Sequence, residues 1–107
     1  MSSEDIVNDE EFLQLMRGFA ENFWTSRVPD FLNLSLSLAE NVPPNLELKR
    51  AIHGLAGTAE MINEKGIGDL ARQAETCWDV SGAQSEITLA AIEALVEFIK
   101  QRQDQQP

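Results

Sequence analysis

His53 is the single histidine among 107 residues, and it stands in "AIHGLAGTAEM", residues 51–61, with glycine one and four positions after it. Imidazole titrates near neutrality, so one of its ring nitrogens can act as a nucleophile without a dedicated base. The setting needs a reason, because glycine costs a helix interior about 1 kcal/mol against alanine. The segment is otherwise helical in pattern: Leu48, Ile52, Leu55, Ala59 and Ile62 alternate by four and three. His53 follows Ile52 directly, so at 3.6 residues per turn it points about 100° away from that apolar stripe. An exposed imidazole is the expectation. Its helical neighbours are Lys49 and Arg50 on the N-terminal side and Ala56, Gly57 and Glu60 on the C-terminal side. Gly57 with Ala56 reads as a flat patch beside a protruding ring, over which another molecule's backbone can come close. Gly54 and Glu60 extend the same docking surface.

Other chemistries find little support. One histidine and the lone Cys77 lack the clustered spacing of a zinc site. There is no glycine-rich ATP loop and no Walker-type motif. Glu4, Asp5, Asp9, Glu10 and Glu11 read as a solvated end rather than a catalytic carboxylate pair. A helical enzyme using His53 as general base would need a partner nucleophile and oxyanion donors, and none is apparent. The net charge of −10 argues against nucleic acid and anionic membrane as partners, because counterion release needs clustered Lys and Arg. A single cysteine cannot close an internal disulfide, which suits a reducing compartment. The opening "MSSEDIVNDEE" has no basic n-region or apolar h-region, and no apolar run approaches the roughly 20 residues of a membrane span. The expectation is a cytoplasmic, acidic, monomeric protein. It forms one domain over residues 1–107, with residues 1–8 and 102–107 as frayed ends.

The elements that would hold His53 are all helical in period. Phe12, Met16, Phe19 and Phe23 form one stripe, read as core, with Asn8 or Asp9 as cap. Pro29 interrupts, and a second helix starts near Val28, since proline is tolerated in a first turn. That helix is apolar on nearly every side and is expected to be the most buried. "NVPPN" ends it, and Asn45 caps the histidine helix. "NEKGIG" marks the next boundary. Ile67, Leu70, Ala71, Ala74 and Trp78 make a fourth stripe, closed at Ser81 and Gly82. Ser85 caps a fifth helix carrying Leu89, Ile92, Leu95, Val96 and Ile99. Five helices on short connections predict an all-α fold: a four-helix, up-down antiparallel bundle with an additional N-terminal helix packed across one end.

With those elements in place, "HGLAGTA" resembles the motif of histidine-containing phosphotransfer (HPt) domains, in which H-x-L-K-G-[SA]-A sits on the second helix of a four-helix bundle. "LELKRAIHGLAG" is similar to the entry into that helix and "GIGDLARQAE" to the helix after it. The resemblance covers roughly residues 10–100. It implies a phosphorelay carrier rather than an enzyme. His53 would be the phosphoacceptor between a histidine kinase (or hybrid kinase) and a response-regulator receiver aspartate, with no cofactor of its own and Mg²⁺ on the receiver. Two positions depart from the family pattern. Ala56 stands where a lysine is common, and Asn63 where a glycine usually ends the histidine helix, with Gly66 three residues on. The glycine's shift reads as nearly one extra helical turn, or else as Asn63 taking the left-handed closing conformation itself. Because side chains lean toward the helix N-terminus, Lys49 or Arg50 would replace the missing lysine beside the phosphoryl group. The alternative reading is a non-transferring module of the same fold that sequesters a kinase or receiver.

Overall fold

A computed structural model describes residues 9–105, and among these the chain is helical with no strand. The elements are α1 (Asp9–Asn22), a π turn (Phe23–Arg27), α2 (Val28–Ser35), a 3₁₀ turn (Leu36–Glu40), α3 (Leu46–Met61), α4 (Lys65–Ser81) and α5 (Glu86–Asp104). Asn8, one of the two caps expected for α1, lies outside the described residues.

Two predicted caps are in place. Asn45 accepts a hydrogen bond from the Leu48 backbone N–H at 3.0 Å, and Ser85 accepts one from Ile87 at 3.3 Å. Asn63 takes φ +65° just beyond α3, so the asparagine itself closes the helix and no extra turn is added. Gly66 has another use. A Cβ there would run into the ring of Phe98, so the glycine lets α5 come close to the start of α4. The same corner is tied by Arg102, whose Nε and Nη2 donate to the two Glu64 carboxylate oxygens at 3.0 Å each. Residues 102–104, expected to fray, are therefore helical and anchored.

Pro29 does not break the chain. Asn22 and Arg27 both keep right-handed helical angles, and the Val28 N–H reaches back five residues to the Phe23 carbonyl. A π turn absorbs the missing proline N–H, and α1 runs on into α2 as one long helical rod. This geometry overturns the expectation for α1. It buries no residue: Phe12 is 51% exposed and Leu15 57%, and only Phe23, inside the π turn, reaches the core. The molecule measures 58 Å along its longest axis, whereas the 19 residues of α5 span roughly 28 Å. α1 projects beyond the helices that form the core.

The core is built mainly from α3, α4 and α5, with Phe23, Val28 and Phe31 contributed by the rod. α2, expected to be the most buried helix, buries only Val28 and Phe31, while α3 buries Leu48, Ile52, Leu55, Ala56 and Ala59. The reason is position. α3 lies between α2 and α4, whereas α2 has little against its other side. Trp24 and Trp78 are both partly buried against the core, Trp24 edge-on to Phe23 with ring centroids 5.2 Å apart.

Candidate functional site

α3 and α4 run antiparallel, and their exposed seam carries a series of cross-helix pairs. Lys49 Nζ lies 2.6 Å from Asp79, His53 Nδ1 lies 2.6 Å from Glu75 Oε2, and Arg72 pairs with Glu60. The His53 side chain is 76% exposed, as its angle from the apolar stripe predicted, and Glu75 is only 24% exposed. A carboxylate can only accept, so the short contact places the proton of a neutral imidazole on Nδ1. That leaves Nε2 with its lone pair as the free ring nitrogen. The ring is thereby both exposed and held in one orientation. An isolated surface histidine has no such restraint.

The other predicted site residues divide. Gly57 is open: a Cβ built there would meet nothing within 4 Å. Glu60 is exposed and holds Arg72. Arg50 is exposed and makes no ion pair with a described residue, so it is free to move toward a ligand. Lys49 sits one turn from His53 as expected but is already occupied by Asp79. Ala56 is not part of a surface patch. It is 4% exposed, because three residues after His53 the helix has turned it toward α4 and the core. Gly54 is not an open surface either. The Arg27 guanidinium from the π turn lies over it, with Nη1 2.6 Å from where a Cβ would stand. The glycines thus answer different needs: Gly54 admits a side chain of this same protein, and Gly57 alone leaves clear space beside the ring.

Two contributors came from α4 and were missed in the sequence. Glu75 orients the ring, and Arg72 brings a cation to the level of Gly57 and Glu60, on the side of His53 opposite Lys49. The only available signal was the antiparallel α3–α4 hairpin itself, which sets positions with a nearly constant index sum across from each other.

No family model, curated protein or solved structure matches this chain. The site therefore has to be read from its own geometry. Among the described residues no group of three or more His, Cys, Asp or Glu could hold a metal ion, and no helix is long and apolar enough to cross a membrane.

Proposed function

We propose that this protein is a phosphorelay carrier of the HPt type, in which His53 takes a phosphoryl group from a receiver aspartate or a histidine kinase and passes it to a response-regulator receiver. In this reading α2 to α5 form an up-and-down four-helix bundle and α1 is the additional helix. The single observation that carries the proposal is an imidazole that is mostly solvent-exposed yet fixed through Nδ1 to Glu75.

The chemistry asks little of the carrier. The Nε2 lone pair attacks phosphorus in line with the bridging oxygen of the partner's aspartyl acyl phosphate. The N–P bond forms as the P–O bond breaks, and its electron pair leaves with the partner's carboxylate. No proton has to move, because Nε2 carries none and Nδ1 keeps its own. The phosphorylated ring is then cationic, and the Glu75 carboxylate faces the nitrogen that bears the remaining proton. The reverse transfer regenerates neutral imidazole. Mg²⁺ would be held by the receiver rather than by this chain, and the chemistry it would supply there is charge neutralisation. Arg50 is the cation of the histidine helix free to stand in for the lysine that Ala56 does not supply, since Lys49 and Arg72 are held by Asp79 and Glu60.

Glu75 is a positioning residue, and its replacement is diagnostic. Glu75→Ala removes a charge-assisted hydrogen bond, so transfer from a phosphorylated receiver should slow about tenfold. Glu75→Gln, which can still accept from Nδ1–H, should recover part of that loss. Nitrogen NMR of the imidazole separates this role from a structural one: the wild type should show the Nδ1–H tautomer and Glu75→Ala a mixture. An unchanged tautomer together with unchanged transfer would refute the role.

Gly57 supplies clearance. Gly57→Arg should fold normally, since nothing stands within 4 Å of the new Cβ, and should gain about 1 kcal/mol of helix propensity. Transfer should nevertheless fall on the order of 100-fold, because the side chain holds the partner's aspartate out of attack distance. Stopped-flow transfer and a thermal melt on the same sample check both halves.

A further inference from the structure

Among the described residues, the projecting rod leaves two apolar surfaces uncovered. One is the face of α1 formed by Leu15, Phe19, Phe12, Met16 and Leu13, of which Phe12, Leu13 and Leu15 are each more than half exposed. The other is a groove of about 390 Å³ between α2 and α5, floored by Leu32, Leu36 and Val96 and rimmed on the α5 side by Glu93, Glu97 and Lys100. Leu36 is 65% exposed there. An amphipathic helix that buries nothing is marginal alone, and large apolar patches on a monomer mark interaction sites.

We infer that the occupant of the groove is α1 of a second copy of this chain, in a two-fold symmetric dimer built by antiparallel pairing of the long rods. The register follows from the fold. α2 and α5 are antiparallel: Leu38, in the 3₁₀ turn after α2, shares a hollow with Leu89 near the start of α5, while Leu32 shares the groove with Val96 and Lys100 further along. A two-fold axis near Trp24 then sets Met16 of one copy opposite Leu32 of the other and Phe12 opposite Leu36. The same register brings Arg17, at the edge of the apolar stripe beside Leu13, to the level of Glu97, an opposite charge and, by symmetry, twice over. That pair, met by the mostly acidic rim of Glu93 and Glu97, favours a copy of this chain over an acidic membrane. Phe12, Leu13, Leu15 and Leu36 are each at least half exposed. At roughly 100 Å² apiece, with smaller shares from Phe19 and Met16, the two copies together remove about 1,000 Å² of apolar surface from water, the threshold of a specific interface.

The proposed dimer departs from the expectation of a monomer and does not depend on the phosphorelay reading. His53 lies on the α3–α4 seam, away from the α2–α5 groove, so both imidazoles stay accessible. Sedimentation equilibrium of the full chain over roughly 1 μM to 1 mM, which spans the affinities of ordinary dimers, should give twice the monomer mass of 11.9 kDa. Phe12→Glu and Leu36→Glu alter opposite partners of one contact, and both positions are exposed in the single chain. Each should weaken the dimer at least 100-fold while leaving helical circular dichroism unchanged. Arg17→Glu should weaken it about tenfold, and adding Glu97→Arg should restore it. A mass of 11.9 kDa across the whole range would overturn the inference. So would a dimer indifferent to both Phe12→Glu and Leu36→Glu, since it would have to form through another surface.

Discussion

His53→Gln accepts no phosphoryl group from any phosphorylated receiver and keeps its fold. The chain has no second imidazole to take over, so the loss should be complete rather than partial. The cost in stability should stay within about 0.5 kcal/mol, because the replaced side chain is mostly exposed and its one contact is a surface hydrogen bond to Glu75. Glutamine keeps an amide N–H that can donate to the Glu75 carboxylate but has no basic nitrogen. The variant therefore separates shape from nucleophilicity. Transfer is read by incubating the variant with a labelled phospho-receiver and testing the product for acid-labile, base-stable phosphate. Label retained on the variant would place the acceptor elsewhere and end the carrier reading. If the wild type binds the receiver tightly but takes no label, the chain is a sequestering module of the same shape.

Phe31→Ala should be the most damaging single truncation for the fold, at about 3–5 kcal/mol. Phe31 is fully buried, and it is the larger of the two buried side chains of α2, the other being Val28. Leu32 and Ser35 border the open groove over α5, and Asp30, Asn33 and Leu34 a second hollow beside Ala51, so few other side chains of α2 stand ready to fill the space. A domain of this size has about 5–15 kcal/mol in total, so the variant should melt roughly 15–30 °C below the wild type. Val80→Ala is the control. Val80 is apolar as well but 80% exposed near the end of α4, and its loss should fall within about 0.5 kcal/mol. Equal melting temperatures for Phe31→Ala and wild type would mean that α2 is not held by this anchor.

The exposure of His53 was legible because its angle to Ile52 depends only on the helical repeat. The caps at Asn45 and Ser85 were legible for the same kind of reason: a short polar side chain satisfies its own backbone two or three residues on, whatever lies outside the helix. Ala56 shows where that logic thins. It lies one side of the histidine by angle, but whether that side meets solvent or α4 depends on how the neighbouring helix is set.

By itself, the sequence determined the helical period, most helix boundaries, the single nucleophilic imidazole and the clear space at Gly57. These are consequences of local backbone geometry and of residue type. Only the tertiary structure decided that Glu75 orients the ring, that Asp79 occupies Lys49, and that Arg27 covers Gly54. Each joins residues more than 20 positions apart, and their pairing is set by the depth at which α2, α3 and α4 pack. The fate of α1 belongs to the same class. The stripe of Phe12, Met16, Phe19 and Phe23 states that one face avoids water, but not which surface covers it. The π turn just before Pro29 keeps the helix running on, and three of those four side chains end up beyond the reach of their own core.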